Sequence, residues 1–549
     1  MDSGFQSIKY YLLLSLICLA FYLPGITSLP PVDRDEARFA QATSQMLETG
    51  DFVQIRFQNE SRNKKPIAIY WLQSAAVALS GTLKSRQIWP YRIPSVLGGL
   101  LSVLLTFALG KLLFDRRTGL LGAAFCAGTF LLIIEAHMAT TDALLLATIM
   151  ASQLALSRFY MREDGAESPG KAVFLTFWIA QAIGILVKGP ITPLISLLTI
   201  ASLAAADRDL KWLKGLRPLV GLGIVAIIAC PWAIAIAVAT KGAFFQQAIG
   251  GDLLSKVGSG QESHGFPPGW YLLLLPLTLW PASPLAGVAL YRAWKSRKLK
   301  AVRFCLAWIV PAWILFELVP TKLPHYVLPL YPPLCLLVAE TVLSAAAGRA
   351  SELGSKLVRL GFILCFLIPV CLGVCAVALP YFLDNRFEML ALVPVAAGFA
   401  TAGFAVFSYL KQRYLRAAVI SIVGTWFLLF PLFQWVLPDV NSVWLSRTVA
   451  DAVKEGTGRT APVASVGYYE PSLVFLLGTQ TQLTGPAEAA SFLKKHPEGI
   501  ALVGSREDDD FRRETGNLGI PVKLMGSFRG FCYSKGKNMV LRLYGVSEQ

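Results

Sequence analysis

Charge is scarce in this chain, and the scarcity sets the first boundary. Asp, Glu, Lys and Arg make up 15% of the 549 residues while 55% are hydrophobic, whereas soluble domains carry roughly 25% charge. A water-soluble globule is excluded and a polytopic membrane protein is left. Usefully spaced cysteine is missing too. Cys18, Cys126, Cys230, Cys305, Cys335, Cys365, Cys371 and Cys375 lie in apolar runs, where a thiol behaves as a small hydrophobe, and Cys532 is alone in a polar tail. Neither a disulfide framework nor a CxxC metal pair can be drawn. The chain also lacks an internal repeat, a low-complexity segment and, in its tail, a phosphate-binding glycine loop. Acid is outnumbered by base, with a formal net charge of +16. The basic residues fall in short clusters between apolar runs, as cytoplasmic loops do, so no nucleic-acid partner is expected.

What is present is hydrophobic length. Apolar runs of the roughly 20 residues that span a bilayer recur near 10–28, 93–113, 118–138, 142–160, 171–187, 190–206, 217–239, 270–292, 303–320, 326–346, 357–382, 389–410 and 415–436. The expectation is about thirteen spans, with the termini on opposite sides. The first run has no clean small-x-small cleavage site and reads as a retained helix. Alternate connections carry Arg116-Arg117, Lys211/Lys214/Arg217, Lys295/Arg297/Lys298/Lys300, Arg349/Lys356/Arg359 and Lys411/Arg413/Arg416, which assigns them to the cytoplasm. The N-terminus is then cytoplasmic. The stretch after the first run, the 241–269 loop, the Thr321–Tyr326 and Asp384–Glu388 turns and the tail face outward. The tail, 438–549, reads as a small α/β domain with strands at Val463–Val466, Ile500–Val503, Val522–Leu524 and Met539–Leu543. Residues 1–437 form the membrane domain, with an outward loop at 29–92.

Val32–Gln73 is a charged island in that loop, and it is basic on the side where Lys and Arg are disfavoured. An anionic partner accounts for the exception, and phosphate at a membrane surface is the obvious one. Glu36–Glu48 has helical spacing ended by Gly50, Asp51–Phe57 alternates as an extended piece, and Pro66–Leu79 reads as an interfacial helix anchored by Tyr70 and Trp71. Asp35 and Glu36 fit two roles equally: a general base near a low-dielectric surface, or acids favouring a helix N-terminus. Arg38 shares a helical face with Asp35. Arg62, Lys64 and Lys65 form a cationic knot for phosphate, either on a substrate or on lipid headgroups.

Further along, Glu135, His137 and Asp142 lie between two spans, where ionisable groups are usually functional or paired. They are also candidates for a divalent cation, at a spacing that matches no strong metal motif. Lys188 in LVKGP and Lys322 in TKLPHY are outward cations that either snorkel or join the phosphate site. His264 sits in SHGFPPGWY, before the chain re-enters the membrane.

With these residues in view, the chain resembles the lipid-linked sugar transferases of the protein mannosyltransferase type. The likeness is greatest to bacterial 4-amino-4-deoxy-L-arabinose lipid A transferases and to relatives that move galacturonic acid onto lipopolysaccharide. It is carried by DEARFA at Asp35–Ala40 with MLETGDFV at Met46–Val53, KKPIAIYW at Lys64–Trp71, LVKGP, HGFPPGWY and TKLPHYVLPLYPP at Thr321–Pro333. The resemblance implies a C-type glycosyltransferase fold and a polyprenyl-phosphate sugar donor. It implies an acceptor such as lipid A or another envelope component, and inverting transfer at the periplasmic face of the inner membrane. It puts Asp35 on the catalytic acid, Arg38 and Lys65 on the carrier phosphate, and Tyr326 on the cavity wall, with Asp142 a looser match. Lys64 departs from the Glu-Lys-Pro common in the aminoarabinose enzymes, which favours an acidic or neutral donor sugar. Protein O-mannosylation is the rival within the class, and a lipid-sugar flippase the rival outside it. The missing inverted repeat and the gathering of charge at one face argue against the flippase.

Overall fold

All thirteen apolar runs fold as helix in the computed structural model, which describes residues 2–162, 169–255, 265–457 and 461–547. Among the described residues, nine helices are long and apolar enough to cross a bilayer, or ten when the bent pair α5 (Arg116–Ala127) and α6 (Phe130–Ala136) counts as one span. The rest of the expected thirteen fall short for local reasons. The apolar part of α1 (Asp2–Tyr22) is Ile8–Tyr22, and α9 (Ile191–Asp207) has 17 residues. The run near 270–292 is split into Trp270–Thr278 and Ala286–Lys295, because Pro276, Pro281 and Pro284 each remove a helix N–H.

The loops sort onto two ends. At one, Arg303 pairs with Asp207, Arg292 lies 2.9 Å from Glu352, Tyr409 donates to the Leu353 carbonyl at 2.7 Å and Arg116 covers the Tyr10 ring. At the other, Gly265 bridges Thr321, Lys65 of the island meets Asp252 of the 241–269 loop, and the Ser442 N–H donates to Asp384 at 2.9 Å. These are the groupings that the basic clusters predict.

Two devices fix the helices that carry polar groups. Gly98 in α4 (Trp89–Leu113) lets the start of α7 (Asp142–Tyr160) come so near that a Cβ there would lie 2.7 Å from the Ala143 backbone. Lower in the bundle, α7 is tied to α9 by Thr148–Thr192 and Ser152–Ser196 at 2.9 Å and Gln153–Thr199 at 3.2 Å. Gln181 of α8 (Lys171–Lys188) donates to both serines at 2.7 and 2.8 Å. Hydroxyl and amide pairs of this kind hold helices together where lipid supplies no hydrophobic drive.

The C-terminal domain is a five-stranded sheet in the order β4 (Gln482–Thr484), β3 (Val463–Val466), β5 (Ile500–Gly504), β7 (Lys537–Val546), β6 (Val522–Cys532). The first three strands are parallel, and β7 pairs antiparallel with both β5 and β6. Alternation puts Val463, Leu502 and Leu543 against the helix Leu445–Thr457 on one face, and Val466, Val503 and Tyr544 against Phe492 and Phe511 on the other.

Candidate functional site

The site starts from the helix that the charged island forms. α2 (Asp35–Thr49) buries Phe39, Ala42 and Met46 against Ile67, Ile69 and Tyr70. It stops at Gly50, whose φ of 73° suits glycine and whose N–H donates to the Met46 carbonyl at 2.9 Å. α3 (Ala68–Ser80) packs back on it, with the Phe39 and Tyr70 rings 5.3 Å apart. Tyr70 is therefore core and not an interfacial anchor, while Trp71 stays exposed. Between the helices a two-residue hairpin, β1 (Arg56–Phe57) with β2 (Glu60–Ser61), turns the chain so that 62–65 point back over the start of α2.

Around that start the cations converge. The Asp35 carboxylate is accessible and lies 3.7 Å from the buried Arg62 guanidinium. Arg62 reaches the Tyr70 hydroxyl at 3.4 Å and covers the Phe39 ring at 5.0 Å. Arg38, Arg62 and Lys64 line a cavity of about 580 Å³ together with Glu60, Gln247 and Asp252. Lys65 lies beside it, 2.9 Å from Asp252. Deeper, Lys188 bonds Asp142 at 2.6 Å and sits 5.7 Å over the Tyr326 ring. His325 completes the group, 3.9 Å from Asp142 and 3.7 Å from Glu135, whose other oxygen accepts from Thr140 at 3.0 Å. Burial alone pushes the Asp35 carboxyl up, but Arg62, then His325, Arg38 and Lys65, outweigh it and hold it below the usual carboxylate range. Asp35 is thus an ionised acceptor at neutral pH, inside a ring of cations.

Three expected members lie elsewhere. Glu36, expected beside Asp35 as a second catalytic acid, is fully buried and bidentate to Arg92 at 2.8 and 2.9 Å, and it also accepts from the N–H groups of Ala139 and Val32. With every lone pair used it has nothing to offer a substrate. His137 contacts the carbonyls of Ile133 and Pro24 at 2.7 Å each through its two ring nitrogens, so it can neither line the cavity nor ligate. Among the described residues no group of three His, Cys, Asp or Glu side chains could hold a metal ion. Glu135, His137 and Asp142, the candidates for a divalent cation, are not such a group. Lys322 is buried and donates to the Val319 carbonyl at 2.7 Å, apart from the other cations. His264 lies outside the described residues.

Sequence reasoning missed three participants. Arg92 reads as one cation in an apolar run, yet it also donates to the carbonyls of Ile26, Leu29 and Pro30 and so ties the end of the first span to α2. Asp252 is 187 positions from Lys65, and nothing local links them. His325 could have been found, since it precedes Tyr326 in an outward turn already marked by Lys322.

The family described as dolichyl-phosphate-mannose-protein mannosyltransferase matches residues 64–234. The undecaprenyl phosphate-alpha-4-amino-4-deoxy-L-arabinose arabinosyl transferase of Pseudomonas aeruginosa (strain UCBPP-PA14) is 28% identical over 81% of this chain and 80% of its own length. The chain is similar to glycosyltransferases of this type. It is also similar to the enzyme of that name from Aeromonas salmonicida, 27% identical over 78% of this chain and 76% of that one. Its fold is that of ArnT from Cupriavidus metallidurans, solved bound to undecaprenyl phosphate, with a TM-score of 0.73, 15% identity and coverage of 99% and 98% of the two chains. The archaeal oligosaccharyltransferase AglB from Archaeoglobus fulgidus is a more distant likeness, with a TM-score of 0.54 at 12% identity, over all of this chain and 74% of that one. The expected C-type architecture and the reading as a multi-pass membrane enzyme therefore stand.

Proposed function

We propose that the transferase moves a sugar from undecaprenyl phosphate to lipid A on the outer face of the inner membrane, with 4-amino-4-deoxy-L-arabinose as the first donor to test. The N-terminus is cytoplasmic and the C-terminal domain periplasmic. The observation that carries the reading is an ionised Asp35 at the rim of a cavity lined by Arg38, Arg62 and Lys64, with Lys65 alongside. Arg38 and Lys65 hold the carrier phosphate and stabilise its charge as it leaves, often the largest catalytic term. An acceptor oxygen attacks the anomeric carbon, the bond from that carbon to the phosphate oxygen breaks, and its electron pair stays on the phosphate. One such displacement inverts the centre. A hydroxyl acceptor gives its proton to Asp35; a lipid A phosphate, already anionic, has none to give, and Asp35 then orients it.

Lys64 on the cavity wall favours a second donor reading, an acidic sugar such as galacturonic acid. Purified protein given labelled undecaprenyl-phosphate aminoarabinose or galacturonic acid, with lipid A as acceptor, tests both. Transfer of one label names the donor, and transfer of neither sinks the reading. Asp35→Asn is expected to cost about 10²-fold to 10⁴-fold with a hydroxyl acceptor, the usual span for a general base, and less with a phosphate acceptor.

A further inference from the structure

We infer that Tyr533 and Ser472 of the C-terminal domain are positioning residues for Asp35, holding the Asp33–Arg34 turn in the conformation from which α2 starts. The inference rests on the proposed role of Asp35 and goes beyond it, because it assigns a part in transfer to a domain that lines none of the cavity. Three hydrogen bonds converge on the two residues before Asp35. The Asp33 N–H donates to the Tyr533 hydroxyl at 2.6 Å, the Ser472 N–H donates to Asp33 Oδ1 at 2.9 Å, and Arg34 Nη2 donates to the Ser534 carbonyl at 2.6 Å.

The turn needs outside support. Arg34 has φ 69° and ψ −105° and makes no side-chain cap, a backbone that any residue with a Cβ disfavours. Such a conformation persists only where its surroundings over-determine it, and here the surroundings are the C-terminal domain. That domain is itself anchored at the contact. Buried Glu470 accepts from Ser534 Oγ at 2.5 Å, just before the helix Pro471–Leu477 that presents Ser472. The same domain also holds α2 further along: Arg86, between α3 and α4, bridges Gln41 at 2.9 Å and the Phe475 carbonyl at 3.0 Å, and Thr479 donates to Glu48, near the far end, at 2.7 Å. α2 is held at both ends, so the direction of Asp35 is set by Ser472 and Tyr533 and not by α2 alone.

The test is steady-state transfer by the full chain with labelled undecaprenyl-phosphate aminoarabinose or galacturonic acid, whichever the wild type uses. Tyr533→Phe removes only the hydroxyl. It should lower kcat about tenfold and leave the donor KM within about twofold, since the phosphate clamp is untouched. Arg34→Gly is the discriminating partner, because glycine adopts this backbone unaided. Adding it to Tyr533→Phe should restore most of kcat. Ser472→Pro repeats the test if Tyr533→Phe does not fold, since it deletes the N–H in the first turn of a helix, where proline is tolerated. Wild-type kcat in both single variants overturns the inference, as does a loss that Arg34→Gly does not restore. A wild-type chain that transfers neither label defeats the functional reading instead, and the inference falls with it.

Discussion

Lys65, proposed to hold the donor phosphate, is already paired with a carboxylate. Its ammonium is 2.9 Å from Asp252, and both side chains are only partly exposed, so a donor phosphate competes with a carboxylate from the 241–269 loop. Asp252→Asn should lower the donor KM about fivefold, equivalent to ~1 kcal/mol for one partly exposed pair, and substrate titration at fixed acceptor reads it directly. Asp33 and Asp35 stand two positions apart and titrate in opposite senses. Burial, helped by Glu470, pushes the Asp33 carboxyl up to about 7 against the Ser472 hydrogen bonds and Arg38. A carboxyl raised by folding stabilises fully below its unfolded value, and that stability is lost as pH rises through its folded value. The grip of the C-terminal domain should therefore loosen between pH 6 and 8, seen as faster proteolytic release of that domain at pH 8, and Asp33→Asn should flatten the slope. Asp35 is lowered, so its contribution is lost only as pH falls through that lowered value, and its ionisation is constant over the same window.

Elements bring together what residues cannot. Gly98 has the Ala143 and Leu144 backbone where a Cβ would go, whereas the nearest atom at Gly99 is the far end of the Tyr22 ring at 3.1 Å. Gly98→Ala must push α7 away and carry Asp142 off Lys188, so it should cut transfer more than tenfold. Gly99→Ala should be much milder in the same assay. The Glu36–Arg92 pair joins α2, α4 and the end of the first span. Arg92→Met leaves a buried carboxylate without its partner, at ~3–5 kcal/mol, and should show as a lower unfolding temperature and poor membrane yield. The helices themselves were legible in the sequence, because hydrophobic length and turn chemistry are local. α2 with its Gly50 stop, α3 and the four expected strands lie close to where spacing puts them. Glu36 was misread because one acid beside another gives no sign of which faces Arg92 across 56 positions. His137 was misread because its carbonyl partners, at Ile133 and Pro24, are backbone groups that no residue type announces.

At the scale of the molecule, charge patterning alone sorted the loops into two ends, and the fold keeps that sorting. The sequence could not foresee how closely the C-terminal domain meets the loop that follows the first span. The basic loops and Tyr10 share one end, while Asp33 and Tyr533, 500 positions apart, share the other. A reporter active only in the cytoplasm should therefore work at the N-terminus, and one active only in the periplasm at the C-terminus. The turn that carries Tyr533 and Ser534 joins β6 and β7, so it is synthesised 500 positions after Asp33. A chain emerging from the ribosome has its spans, its cations and Asp35 long before it has the residues that claim the Asp33 N–H and the Arg34 side chain. On the positioning inferred for Tyr533 and Ser472, a chain that lacks the β6–β7 hairpin should still enter the membrane but transfer sugar more slowly than the full chain, because nothing then holds the turn ahead of Asp35.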